Sequence, residues 1–160
     1  MKMIAALAAA AALVIGLSTP SKADFSPLSI FSIFSGPPKI IATVSVADQR
    51  MDLTVVDGSG GTRVYHWKVS TGRTGFDTPT GSFHPTWLDA NHKSNQYEDA
   101  PMPYAVFFSG GYAIHGTDSV ARLGTPASHG CVRLSPQNAE TFYELVRTYG
   151  KWSTKIVITD

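Results

Sequence analysis

The chain is poor in cysteine: of its 160 residues, Cys131 is the only one. A single thiol excludes an intrachain disulfide, so no disulfide framework stabilises the fold. Count alone leaves three interpretations of Cys131 open, namely an inert buried thiol, an intermolecular disulfide or a reactive thiol. The residues around it must decide between them.

An excess of charge of either sign is also absent. The sequence has 13 Lys and Arg against 12 Asp and Glu, a formal net charge of +1. Such a balance leaves no electrostatic footprint for nucleic acid or for an anionic membrane surface. The length allows one domain with a proper core, and the ordinary apolar content excludes a disordered or fibrous protein.

Long hydrophobic runs are missing, because no stretch reaches the roughly 18 to 20 apolar residues of a membrane span. The run from 4 to 17 follows Lys2 and precedes Ser21-Lys22-Ala23, which is typical of a signal peptide over residues 1–23. An uncleaved anchor is the alternative. We expect export to the periplasm or cell envelope. Cleavage would also remove Lys2 and Lys22, leaving 11 basic and 12 acidic side chains, a formal charge of −1.

The remaining sequence predicts a linker or arm over 24–39 and one domain over 40–160. The apolar residues of the arm could instead contact a membrane or a partner. Short alternating runs predict strands at 43–46, 51–56, 64–70, 82–88, 104–108, 112–115 and 156–158. The polar segment 89–103 predicts a long surface loop. Ser135 as N-cap, Pro136 and the stop at Gly150 predict one main helix over about 136–149. The expected fold class is mostly β.

The chemistry centres on Ser128-His129-Gly130-Cys131. Gly130 permits a sharp turn whose backbone N–H groups can face an anion. A nearby helix start and Arg133 are both expected to lower the thiol pKa. Either His115 or His129 is a candidate base, and spacing does not choose between them. A metal site of His115, His129 and Cys131 is a further alternative, although no pair has a recognised zinc spacing.

Two motifs resemble the L,D-transpeptidase catalytic domain family (YkuD or ErfK type). They are Ile114-His115-Gly116-Thr117 followed by Ser128-His129-Gly130-Cys131-Val132-Arg133-Leu134, and the upstream run Ser70-Thr71-Gly72 with Thr78-Pro79-Thr80-Gly81-Ser82-Phe83. The resemblance implies a β-sandwich-like catalytic domain with a mixed sheet over residues 40–160.

The resemblance also implies the roles of individual residues. Cys131 would be the nucleophile and His115 the base, with the backbone carbonyl of Gly116 orienting the imidazole. The remaining implied roles are oxyanion donation by the N–H groups of Gly130 and Cys131, shaping of the site by His129, and substrate binding by Arg133. Two further residues are interpreted from the sequence: Ser128 as a local hydrogen-bonding residue that shapes the site, and Tyr104 as a substrate-binding residue in the cleft, with core packing as the alternative. Neither a metal nor a cofactor is implied.

The implied reaction is acyl transfer from a peptidoglycan tetrapeptide stem. Cys131 would attack the carbonyl of the third residue, release D-alanine and pass the thioester to an amine of another stem or of an outer-membrane protein. Carbapenems are implied as covalent inhibitors, and we expect a monomer. The alternatives are an L,D-carboxypeptidase, which uses water as the acceptor, a wall-binding module without catalysis, and a metallo-hydrolase.

Overall fold

The computed structural model describes residues 39–97 and 99–160, so the predicted signal peptide and all but the last residue of the predicted arm lie outside the described residues. Within these residues the chain forms strands β1 to β9 and one α-helix, α1. Their bounds are β1 Lys39–Ser45, β2 Arg50–Val56, β3 Thr62–Lys68, β4 Gly81–Phe83, β5 Trp87–Lys93, β6 Pro101–Ser109, β7 Tyr112–Gly116, β8 Val132–Leu134, α1 Pro136–Tyr149 and β9 Thr154–Thr159.

The larger sheet has the strand order β3-β2-β1-β9-β4. The first three strands form an antiparallel meander, and β9 joins β1 in parallel. In β1 the buried residues Ile40, Ala42 and Val44 alternate with outward-facing ones, which is the period of a strand with one buried face.

The smaller sheet has the order β5-β6-β7-β8 and carries the candidate site. Its first three strands are antiparallel, whereas β8 runs parallel to β7 and pairs His115 with Arg133. Both sheets are therefore mixed, and the mostly β, sandwich-like prediction is confirmed.

The core lies between the inner faces of the two sheets and α1. The larger sheet contributes residues such as Leu53 and Ile156, the smaller sheet Val106 and Ile114, and the helix Phe142. A second, smaller cluster occupies the opposite face of the smaller sheet, where Met102, Ala105, Phe107 and Ala113 pack beside Cys131. Alternation along β6 and β7 thus separates a core face from a face that holds the thiol.

Helix α1 begins and ends where the sequence predicts. The Ser135 hydroxyl accepts a hydrogen bond from the Asn138 N–H, Pro136 occupies the first turn, and the Gly150 N–H bonds back to the Val146 carbonyl. No helix among the described residues is long and apolar enough to cross a membrane.

The predicted long loop over 89–103 is wrong. Residues up to Lys93 belong to β5, and β6 begins at Pro101, so the connection is short. Strand β5 is an edge strand with partly exposed side chains, which suits a polar sequence. The prolines of β6 lie where β7 does not pair with it, since that pairing begins at Val106. The predicted strand over 82–88 is also divided, into β4 and β5, with Pro85 between them.

Candidate active site

The turn of residues 128–131, here called the cysteine turn, is fixed by its own polar groups. The buried Ser128 hydroxyl donates to the Cys131 carbonyl at 2.6 Å and accepts from the Gly130 N–H at 3.0 Å. Gly130 has φ +110°, and a Cβ there would lie 2.4 Å from Cε1 of Tyr112. Only glycine fits this turn, because any side chain would be both strained and in collision.

The hydrogen bonding of the turn bears on oxyanion donation. The Gly130 N–H is already engaged by Ser128, so it does not face the cavity as a free donor. The expectation that both Gly130 and Cys131 supply such donors is therefore not met for Gly130, and the Cys131 N–H is the candidate that remains. A serine hydroxyl competing for a local backbone donor is a common feature of turns.

The Cys131 thiol is partly buried beside β7. Its Sγ lies 3.9 Å from the Gly111 carbonyl oxygen and receives a hydrogen bond from the Ala113 N–H. Burial raises the pKa of Cys131 above its usual value, and the Ala113 N–H and the Arg133 charge oppose that rise without cancelling it. The sequence-based expectation of a lowered thiol pKa is thus wrong, and the resting group is a neutral thiol.

His115 lies on the same face of the sheet as the cysteine. Its Nδ1 is 2.6 Å from the Gly116 carbonyl oxygen, the contact that the family resemblance implies. Because a carbonyl only accepts, Nδ1 carries the proton and Nε2 holds the lone pair. Burial lowers the pKa of His115 to about 4, so the imidazole is neutral at pH 7. A neutral, oriented imidazole is the form that a general base requires.

His129 is held differently. Its ring stacks on Tyr97 with centroids 4.2 Å apart and meets the edge of Phe76 at 4.8 Å. Its pKa is lowered, mainly by desolvation and further by the charges of Arg73 and Arg133. These contacts make His129 part of an aromatic wall, and no backbone carbonyl of residues 39–97 or 99–160 accepts a hydrogen bond from its ring.

One cavity of about 580 Å³ brings most of the predicted side chains together. Cys131, His115, His129 and Arg133 all line it. Tyr104 does not: its hydroxyl donates to Glu140 on α1 at 3.0 Å and its ring packs on Tyr143. The predicted substrate contact of Tyr104 is therefore unsupported by its position in the structure.

Three buried polar residues with no role assigned from the sequence, Gln49, Thr71 and Thr78, support the cysteine turn. Thr78 donates to the Gly130 carbonyl at 2.8 Å and accepts from the Gly72 N–H at 2.9 Å. The Gln49 amide bonds the N–H and hydroxyl of Thr71 at 2.9 and 2.5 Å. The Thr71 carbonyl in turn accepts from the Ser128 N–H at 2.9 Å.

Two of these three supporting residues lie in motifs that the sequence shows. The S-T-G and T-P-T-G runs contain Thr71 and Thr78, although the sequence does not reveal what they contact. Gln49 gave no signal, because its left-handed backbone at φ +50° and its distant partners arise only in the folded chain.

The alternative of a metal site formed by His115, His129 and Cys131 is not supported by the described part of the chain. No group of three His, Cys, Asp or Glu side chains there is placed to hold a metal ion. Nδ1 of His115 is hydrogen-bonded to the Gly116 carbonyl, and the ring of His129 is held in a stack with Tyr97.

These features define a β-sandwich protein with a cysteine–histidine site in a cavity on the outer face of its smaller sheet. The model of the YkuD L,D-transpeptidase catalytic domain matches residues 39–158. The chain belongs to the L,D-transpeptidase catalytic domain family.

A curated relative of this chain is described as a member of the same family. A probable L,D-transpeptidase, YbiS of Escherichia coli strain K12, is 30% identical over 101 residues, which are 49% of this chain and 33% of that protein. The match thus spans only a third of the relative's length.

Solved structures share the fold. An L,D-transpeptidase from Mycobacterium smegmatis has a TM-score of 0.65 at 20% identity, covering 77% of this chain and 59% of that one. The L,D-transpeptidase LdtMt1 in complex with imipenem has a TM-score of 0.64 at 22% identity, covering 76% and 59%. L,D-transpeptidase 3 of Mycobacterium tuberculosis, with a faropenem-derived adduct, has a TM-score of 0.64 at 19% identity, covering 77% and 61%.

Proposed function

We propose that the protein is a peptidoglycan L,D-transpeptidase that acts on tetrapeptide stems. One observation carries the proposal: a buried imidazole, neutral at pH 7 and oriented through Nδ1 by the Gly116 carbonyl, lines the same cavity as the single thiol. The parallel register of β7 and β8 supports it, because His115 pairs with Arg133 and Cys131 lies two residues earlier on the same face.

The reaction starts from a neutral pair. Because the pKa of Cys131 is raised and that of His115 lowered, a resting thiolate–imidazolium pair is disfavoured. The thiol proton therefore passes to Nε2 of His115 as Sγ attacks the carbonyl of the third stem residue. The Cys131 N–H is the proposed donor to the developing oxyanion.

The second half of the reaction restores the enzyme. Collapse of the tetrahedral intermediate breaks the bond to D-alanine, whose amine takes the proton from His115, and leaves a thioester on Cys131. An acceptor amine, deprotonated by His115, then attacks the thioester and releases the thiol. An amine of another stem would give a 3→3 cross-link, one of an outer-membrane protein would attach it to the wall, and water would give the carboxypeptidase reaction.

The fold relatives suggest an inhibitor class. Two similar structures are described with imipenem or with a faropenem-derived adduct. We propose that carbapenems acylate Cys131. A peptidoglycan substrate places the protein in the cell envelope, in agreement with export through the predicted signal peptide.

The test uses purified protein and a synthetic tetrapeptide stem, with D-alanine release and product masses as readouts. We expect Cys131→Ala to abolish release and His115→Ala to slow Cys131 acylation far more than the matched variant His129→Ala. Equal losses in the two histidine variants would mean that the base is misassigned. Full release by Cys131→Ala, or loss of activity with a chelator, would sink the mechanism. Product masses with an added amine acceptor separate transpeptidation from hydrolysis.

A further inference from the structure

Tyr104 has a backbone conformation that a residue with a side chain disfavours. Its φ is +55°, in the left-handed region that a Cβ makes costly in free energy. The alternation of β6 is also broken at this point. Met102 lies with Ala105 on the cavity face of the smaller sheet, although residues three apart on a regular strand lie on opposite faces. The left-handed residue therefore turns over the first part of β6, and other contacts must offset its cost.

The side chain of Tyr104 is anchored on helix α1. Its hydroxyl donates to Oε1 of Glu140 at 3.0 Å, and its ring meets the ring of Tyr143 edge-on, with the centroids 5.8 Å apart. The ring also packs against the core between the two sheets. Since these contacts lie towards α1 and Tyr104 does not line the cavity, they act on the backbone of β6 and not on a bound molecule.

The residue before Tyr104 packs on the glycine whose carbonyl orients the base. A Cβ added to Gly116 would lie 3.1 Å from Cγ of Pro103 and 3.3 Å from Cβ of Ala139, so the Gly116 backbone is enclosed between β6 and α1. Pro103 occupies this position because the left-handed residue that follows it redirects the strand. An extended conformation of Tyr104 would withdraw the proline ring from Gly116.

The peptide group that joins Gly116 to Thr117 carries the carbonyl in question. Its N–H, on Thr117, donates to the Leu134 carbonyl of β8 at 3.0 Å, and its carbonyl, on Gly116, accepts from Nδ1 of His115 at 2.6 Å. With the N–H fixed by β8, the direction of the carbonyl depends on where the Cα of Gly116 lies. A shift of Pro103 is therefore passed to the hydrogen bond that orients the imidazole.

We propose that Tyr104 is a positioning residue for His115. Helix α1 holds Tyr104 in its left-handed conformation, which keeps Pro103 against Gly116 and the carbonyl on Nδ1 of the imidazole. The inference rests on the proposed acyl-transfer function, because it gives Tyr104 a part in activating Cys131 through the base. A tyrosine that only filled the core would leave the tautomer of His115 unchanged when a smaller residue replaced it.

The test compares two truncations in the full chain that differ by one methyl group. Tyr104→Ala and Tyr104→Gly both remove the contacts with α1, but glycine adopts a positive φ without the cost that alanine has. The first readout is the set of NMR nitrogen shifts of the histidine rings in the resting protein, and the second is the rate at which a carbapenem acylates Cys131. Tyr149→Ala is the matched control, because Tyr149 also packs against the core, from the far end of α1.

We expect wild-type His115 to give the shifts of a neutral ring protonated at Nδ1. Tyr104→Ala should populate both tautomers and be acylated about tenfold more slowly, because its backbone leaves the left-handed region. Tyr104→Gly should keep the wild-type tautomer and react within about threefold of the wild-type rate. Tyr104→Phe loses only the bond to Glu140 and should react about twofold more slowly. Tyr149→Ala should change neither readout.

Each contrary outcome has a definite meaning. A wild-type tautomer in Tyr104→Ala, or equal losses in Tyr104→Ala and Tyr104→Gly, would overturn the positioning role. An equal loss in Tyr149→Ala would do the same, since any loosening of α1 would then have this effect. If Tyr104→Ala does not fold, equal acylation rates of Tyr104→Phe and Tyr149→Phe overturn the role. If the tautomers follow the prediction while wild-type protein releases no D-alanine from a tetrapeptide stem, the positioning role stands and the proposed reaction fails.

Discussion

Thr78→Val should uncouple the cysteine turn from the segment that supports it. The Thr78 side chain is buried, and its hydroxyl joins the Gly72 N–H to the Gly130 carbonyl. Valine keeps nearly the same shape, so the packing changes little and the lost oxygen is the perturbation. Both backbone groups are left without this partner.

The expected cost follows from those two groups. An unsatisfied buried donor or acceptor costs about 1 to 3 kcal/mol, and partial access of water to the second group lowers the sum. We therefore expect the free energy of unfolding to fall by about 2 to 4 kcal/mol. Thr141→Val is the matched control, because the Thr141 hydroxyl donates to the Gln137 carbonyl of α1 at 2.9 Å near the surface. Its loss should cost less than about 1 kcal/mol.

Denaturant unfolding measures the stability of both variants. The rate at which a carbapenem adduct forms, followed by the mass of the intact protein, measures the reactivity of Cys131. Under conditions where both variants are fully folded, Thr78→Val should react more slowly, because the Gly130–Cys131 peptide is no longer held. If the two variants unfold at the same denaturant concentration, or if Thr78→Val is acylated at the wild-type rate, the proposed support of the turn is wrong.

Three further perturbations test the same site. Gly130→Ala should lower both the free energy of unfolding and the acylation rate of Cys131 more than Gly110→Ala does. The control position Gly110 also has a positive φ, +51°, but an added Cβ there meets nothing within 4 Å. Equal losses in the two variants would contradict a steric collision at Gly130. Gln49→Ala should cost about 2 to 4 kcal/mol in denaturant unfolding through its lost buried hydrogen bonds, against little for the exposed neighbour Asp48→Ala; similar values would contradict this. Because the folded pKa of His115 is about 4 and the unfolded one about 6.5, the unfolded chain binds more protons between those pH values. The neutral His115 therefore contributes about 3 kcal/mol to the free energy of unfolding above pH 6.5, and this contribution is lost as the pH falls towards 4. The free energy of unfolding of His115→Gln, measured with denaturant, should depend less steeply on pH between 4 and 6.5 than that of the wild type.

The sequence predicted the elements whose signals are local. Helix α1 has its cap, first-turn proline and terminal glycine in the sequence itself, and its bounds are as predicted. The strands with one buried face were likewise visible as alternation. Strand β5 was missed because an edge strand need not bury a face, so its polar residues resemble a loop.

In the site as well, features with a local sequence signal were predicted and features that depend on the folded chain were not. The glycine of the cysteine turn was identified because a sharp turn has few alternatives. The protonation of the pair was not, because the burial that raises the pKa of Cys131 and lowers that of His115 arises only in the folded chain. The choice for Tyr104 between lining the cleft and packing in the core was left open for a related reason, since its left-handed backbone, at φ +55°, is not encoded by any local motif.

The neutral pair also explains why the supports of the turn matter for reactivity. A preformed thiolate would attract its imidazolium partner over some distance, and small shifts of either side chain would be tolerated. A neutral thiol must instead pass its proton to Nε2 while Sγ attacks, so the two side chains must be positioned together. The Gly116 carbonyl fixes the imidazole from β7, whereas Ser128 and Thr78 fix the turn that carries Cys131. Loosening the turn should therefore slow acylation even where the fold survives.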